Sequence, residues 1–169
     1  AAPSIPLPNS TVALENYGGQ ACGNEPTVSL RQAFALSCNT AFVQLGLLTG
    51  SDALRNMARS FGLDTTPSVI PLQVAESSVG IIPDAAALGM TSIGQKDVAL
   101  TPLENAQVAA TIANGGVTMQ PYLIDSLKGP DLANISTTVP YEQRRAVSPQ
   151  VAAKLTELMI GAEKVAQQK

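Results

Sequence analysis

The sequence predicts a mainly α fold carrying one or two short strands, and three observations lead there. Apolar residues recur at helical spacing as Leu30-Ala33-Phe34, Ala41-Phe42-Leu45-Leu48, Leu54-Met57-Ala58-Phe61 and Val151-Leu155-Leu158-Met159. Helix-start signatures stand at Ser29 with Gln32 three positions on, at Thr101-Pro102 with Glu104, and at Ser148-Pro149. Strand character is confined to Thr11 to Leu14 and to "VTMQPYLIDSLKG". At 169 residues and 45% hydrophobic the chain can bury one core, and with no Trp, three Phe and three Tyr that core is built of Ala, Val, Leu and Ile.

Each element follows from its local signals. Residues 1–26 are rich in Pro, Gly, Asn and Ser and read as extended and looped, with at most the short strand around Thr11 to Leu14. Residues 27–62 read as a helical lobe. Its first helix opens on the Ser29–Gln32 capping box, its second stops at Gly50, and its third starts at Ser51 as cap and ends at Gly62. Between the first two lies Ser37-Cys38-Asn39, a polar triplet where one helix ends and another starts, with Ser37 or Asn39 as the cap. Residues 63–100, punctuated by Pro67, Pro71, Gly80, Pro83, Gly89 and Gly94, read as a long irregular region of the kind that is functional or draped over another lobe. In residues 101–169 a helix runs from Thr101 to Gly115-Gly116, a strand follows with Pro121 suited to an edge, and a final helix opens at Ser148. The uncharged stretch from Gln32 to Gly50 carries enough Gln, Asn, Thr and Ser to be buried core rather than a membrane span.

Composition removes several classes of chemistry. The net charge is −3 and the ten Lys and Arg are scattered, which is the wrong footprint for a nucleic-acid binder. There is no His, so Ser-His-Asp triads, Cys-His dyads and His-metal sites are out, and two cysteines cannot make a four-ligand zinc site. No cofactor and no metal is expected, and chemistry must rest on Ser, Thr, Lys, Asn, Asp or Glu. Cys22 and Cys38 would pair in a secreted chain and stay reduced and buried in a cytosolic one; the residues alone leave both open.

By itself Ser37-x-Asn39 is a weak signal, and a helix cap is its ordinary reading. Its flanks say more. "SLRQAFALSCNTAFVQLG" resembles the helix pair that carries the Ser-x-Asn motif of class B penicillin-binding transpeptidases. "LGMTSIGQKDVALTPLENAQVAATIANGGVTMQPYLI" resembles the same family's run of Gly-Gln, Thr-Pro-Leu, an alanine-rich helix and Asn-Gly-Gly before a strand. Both blocks stand in the family's order and spacing, and the resemblance covers essentially the whole chain. It implies a helical subdomain segment of the α/β penicillin-binding protein/β-lactamase-like transpeptidase fold, in which helices flank a five-stranded sheet.

The resemblance also implies a reaction. In that family the Ser of Ser-x-x-Lys attacks the D-Ala-D-Ala carbonyl of a peptidoglycan stem peptide and the Lys takes its proton, so no His is needed. Ser37 would shuttle a proton toward the leaving amine, Asn39 would offer its amide to the substrate backbone, and Cys38 would point away. Implied partners are the stem peptide, β-lactams and cell-wall or division proteins. The implied location is the extracytoplasmic face of the plasma membrane, held by an anchor outside this chain. That location favours a Cys22–Cys38 disulfide, which would pin the Gly-rich opening segment to the Ser-x-Asn corner.

The family's other two motifs are absent. No Ser or Thr has Lys three positions later, Ser92 with Lys96 being the nearest miss, and no Lys is followed by Thr-Gly. The family's order places the first motif before Ala1 and the third after Lys169, so residues 1–169 read as a partial transpeptidase domain that does not acylate alone. The competing reading is a non-catalytic helical interaction module of the cell-wall machinery. An incomplete sheet is also expected to leave apolar helix faces uncovered. Elsewhere, Gln95 and Asp97 read as scaffold, Glu76 as solvated or capping, Asn9-Ser-Thr and Asn134-Ile-Ser as chance glycosylation matches, and Ala109 to Ala113 as core packing.

Overall fold

Prolines 3, 6 and 8 keep the opening segment extended, and a turn at Asn9, whose φ is 54°, folds it back on itself. In the computed structural model, which describes residues 1–68 and 70–167, strands β1 (Ser4–Pro6) and β2 (Ala13–Glu15) pair antiparallel with Ile5 opposite Leu14. Alternation puts Ile5, Leu7 and Leu14 on one face, where they pack on Val43. Three helices follow: α1 (Leu30–Ala35), α2 (Asn39–Thr49) and α3 (Ser51–Phe61). Both halves of the Ser29–Gln32 capping box form. Gly50, not Ser51, is the N-cap of α3, and Gly62 closes it at φ 112°.

Residues 63–100 are not wholly irregular. Asp84 accepts from Ala87 N–H at 2.8 Å and starts α4 (Ala85–Thr91), which lies along α2. The approach is close enough that a Cβ on Gly46 would stand 2.4 Å from Ser92 Cβ. Helix α5 (Pro102–Ala113) has Thr101 as its cap, as read; the second half of that capping box goes elsewhere, because Thr101 N–H donates to Ser77 Oγ at 3.0 Å. Helix α6 (Pro149–Ala166) packs on α1 and α5. The exposed Arg31–Glu157–Lys154 cluster between α1 and α6 contributes little, because water and salt screen it.

The strand content corrects the expectation of one or two strands. Among the described residues there are six, in three two-stranded antiparallel ladders: β1 with β2, β3 (Val117–Met119) with β6 (Glu142–Arg145), and β4 (Ser126–Lys128) with β5 (Asn134–Thr137). Each is three or four residues long, too short to display alternation, and β6 reads Glu-Gln-Arg-Arg. In β4, β5 and β6, none of whose side chains is buried, backbone pairing rather than an apolar face makes the strand.

Helix faces are also corrected. In α2 the buried residues are Thr40, Val43 and Gly46, while Leu45 and Leu48 are exposed. In α5 the buried residues are Glu104, Gln107 and Thr111, and Ala109, Ala110 and Ala113 face outward. In α6 Ala152 and Leu158 are buried, whereas Val151 and Met159 are not. Periodicity shows that a stripe exists; which side is covered depends on the neighbours that arrive. The accessible surface is 10624 Å², against roughly 7,900 Å² for a compact monomer of this mass. Leu48, Ile81 and Ile135 are among the apolar side chains left open.

The polar inner face of α5 has a pH consequence. Glu104 is buried, its Oε1 has no hydrogen-bond partner, and with Arg144 it lies against Gly62. Burial raises its carboxyl pKa above 4.5, and the Arg144 charge offsets only part of that. The folded state therefore holds this proton more tightly than the unfolded chain does. The resulting stabilisation is present below the unfolded carboxyl value and is lost as pH rises through the folded one. In the complete protein, urea midpoints taken from about pH 4 to about pH 7 should include this loss, and Glu104→Gln should flatten it. An unchanged profile in the variant would exclude Glu104 as its source.

Candidate active site

The Ser-x-Asn corner is built by the end of one helix and the start of the next. Helix α1 closes as Ser37 N–H donates to Phe34 O at 3.1 Å and Cys38 N–H donates to Ala33 O at 2.9 Å. That is the Schellman pattern, and it requires the left-handed backbone at Ser37, where φ is 56°. Glycine is the usual occupant; serine there costs about 1 kcal/mol. The next residue holds the turn closed. Cys38 is fully buried and bonded to Cys22, with the two Cα atoms 5.8 Å apart, a normal disulfide span. Ala33, Val28 and Phe42 pack around the pair.

Neither Ser37 nor Asn39 caps α2. Cys38 is the N-cap and its side chain makes no capping bond. The capping acceptor comes instead from the opening segment: Asn16 Oδ1 accepts from Thr40 N–H at 3.0 Å. Asn39 Nδ2 donates to Glu15 O at 3.1 Å, so one amide hydrogen is held by the hairpin and the other is not.

The structure brings Ser37 and Asn39 to one rim of a groove of ≈ 550 Å³, with Cys38 turned inward between them. Phe42, Ser92, Ile93 and the last turns of α6 line the rest. Ser37 is exposed, and its hydroxyl has no protein partner among the described residues. Ser92 Oγ donates to Leu88 O at 2.7 Å, so its proton is occupied. No ionisable side chain lines the groove among the described residues. Such a wall can accept and pass on a proton or hold an amide, and it contains no base to activate a nucleophile.

The other residues singled out from sequence lie elsewhere. Lys96, the near miss to Ser92, gives its Nζ to Ile81 O at 2.9 Å and pairs with Asp97 at 3.1 Å. Asp97 packs its Cβ against Gly80, and Glu76 is exposed. Asn16 was not legible as a site residue, because nothing in its local sequence marks it, and Ser92 drew notice only as the near miss to Ser-x-x-Lys, not as part of the groove. Among the described residues no group of three or more His, Cys, Asp or Glu is placed to hold a metal ion. No helix there is long and apolar enough to cross a membrane.

This geometry has close counterparts. The chain is 80% identical over 169 residues to peptidoglycan D,D-transpeptidase PbpA of Mycobacterium tuberculosis, covering 100% of this chain and 34% of the relative. It is 71% identical over 168 residues to the Mycolicibacterium smegmatis protein of the same name, covering 99% of this chain and 34% of the relative. The chain thus spans about a third of the length of these curated relatives. Among solved structures, penicillin-binding protein A from M. tuberculosis in its imipenem acyl-enzyme complex superposes with a TM-score of 0.95 at 80% identity, covering 100% of this chain and 39% of that one. The D,D-transpeptidase domain of a peptidoglycan glycosyltransferase from Eggerthella lenta superposes with a TM-score of 0.80 at 28% identity, over 96% of this chain and 42% of that one. The family described as penicillin binding protein transpeptidase domain matches residues 3–169, so the corner, the groove and the helices that hold them all fall inside the match, and the chain belongs to that family.

Proposed function

We propose that this chain is the central portion of a D,D-transpeptidase that cross-links peptidoglycan by serine acyl transfer and reacts with β-lactams. The observation that carries the reading is the presentation of Ser37 and Asn39 on one rim of an uncharged groove, in a chain 80% identical to a peptidoglycan D,D-transpeptidase. The nucleophilic serine and its lysine belong to a Ser-x-x-Lys segment outside these residues. That serine's oxygen bonds the penultimate D-Ala carbonyl carbon, the amide C–N bond breaks, and the released D-Ala amine takes a proton. Ser37 relays that proton from the lysine side to the amine, and the free amide hydrogen of Asn39 holds the stem-peptide backbone. An acceptor amine then opens the ester. A β-lactam follows the first half through its ring amide.

The same reading puts the complete protein at the extracytoplasmic face of the plasma membrane, anchored by a segment outside this chain, among cell-wall and division proteins. Labelled penicillin with intact-mass detection tests it. The complete protein should take up one adduct per chain, and the 169-residue chain none. An adduct on the chain alone would refute the assignment of the nucleophile to another segment, and no adduct on the complete protein would favour the non-catalytic module.

A further inference from the structure

Helix α2 begins without a cap of its own, and the group that replaces it is Asn16, a buried side chain 24 positions upstream. Its carboxamide is used completely. Oδ1 accepts from Thr40 N–H at 3.0 Å and faces Thr40 Oγ at 3.1 Å. Nδ2 donates to Ala2 O at 2.9 Å and to Gln20 O at 3.0 Å. Thr40 is fully buried and its Oγ also reaches Ala2 O, at 2.9 Å. The preceding residue, Glu15, takes the Asn39 amide on its carbonyl. Two consecutive residues that close the β1–β2 hairpin therefore hold the first two residues of α2.

We infer that Asn16 is a positioning residue for the acyl-transfer site: by capping α2 from another segment it sets where Asn39 and, through the corner, Ser37 stand in the groove. The inference rests on the function proposed above. It assigns a role to a side chain that touches neither substrate nor nucleophile. Capping alone does not demand Asn, since Asp caps helices as well. The other side of the carboxamide does. A carboxylate at 16 would set a negative oxygen against the Ala2 and Gln20 carbonyls, whereas its protonated form has one O–H to give. No acidic residue stands in the first turn of α2. The titratable groups near Asn16 are the exposed Glu15 carboxylate, which lies over Gly19, the exposed Tyr17, and the Ala1 amino group, which donates to Cys22 O. Because wild type carries the same groups, the test reads the ratio of variant to wild type at each pH.

The test uses the complete protein and second-order acylation by labelled penicillin, well below the melting temperature. Asn16→Ala is expected to slow acylation about 10- to 100-fold, the scale of a displacement near 1 Å at a reacting centre. Asn16→Asp keeps the acceptor that Thr40 uses; its rate relative to wild type should be low at neutral pH and rise as pH falls. Thr118→Ala, which removes a buried 2.8 Å hydrogen bond to Thr111 between two residues that do not line the groove, should lower stability and leave the rate unchanged. Wild type that forms no adduct would overturn the proposed function itself. Wild type that acylates normally while both Asn16 variants stay within about threefold, or a pH-independent Asp-to-wild-type ratio, would overturn the role of Asn16.

Discussion

Replacing Ser37 with glycine in the complete protein is expected, on the function proposed above, to slow acyl transfer roughly 10²- to 10⁴-fold, the usual contribution of a positioned proton-transfer group. The fold should meanwhile become about 0.5–1 kcal/mol more stable. The two effects have opposite signs because they come from different atoms of one residue. The hydroxyl belongs to a groove-lining residue and, in the function proposed above, relays the proton. The backbone sits at φ 56°, a conformation that costs a side-chain-bearing residue and suits glycine. Ser37→Ala provides the comparison: it should lose the same rate without the gain in stability, since its Cβ keeps the backbone penalty. Denaturant midpoints and acylation rates of the pair check this. A glycine variant less stable than the alanine variant would show that the left-handed turn is not held in the folded protein; a rate within about threefold of wild type would show that the hydroxyl relays no proton.

Removing the Cys22–Cys38 link is expected to cost about 3 kcal/mol, from the freedom regained by a loop whose ends are 16 positions apart. The loss falls where the site is made, because Cys38 is both the N-cap of α2 and the fully buried residue between Ser37 and Asn39. Urea unfolding of the complete protein with Cys22→Ala and Cys38→Ala should show the shift. Thiol titration of the native, unreduced protein should find neither cysteine reactive. Two reactive thiols would end the assignment of this pair as oxidised in the working protein.

The elements that were legible in the sequence are those whose causes are local. Ser29 with Gln32, Thr101 with Pro102, and Ser148 with Pro149 each cap the helix that begins one residue later, because a cap and its target N–H lie within three positions. Gly62 ends α3 for an equally local reason. Other elements were not legible. Helix α4 has an ordinary Asp84 cap but only seven residues, too few for a stripe to show among the prolines and glycines around it. The β3–β6 ladder joins residues whose sequences carry no shared pattern, and its partners meet only after the chain between them has folded away.

The candidate site divides the same way. The sequence by itself determined that two helices meet at Ser37-Cys38-Asn39, that no histidine chemistry is available, and which family the corner resembles. Only the tertiary structure decided that Ser37 takes a left-handed turn, that Asn39 is held by the Glu15 carbonyl, and that the cap of α2 is Asn16. It also decided that α5 turns Glu104, Gln107 and Thr111 inward and its alanines out. The physical reason is range. Propensity, capping and periodicity act over a few residues, whereas which face is buried and which donor meets which acceptor depend on segments that are tens of positions apart until the chain has folded.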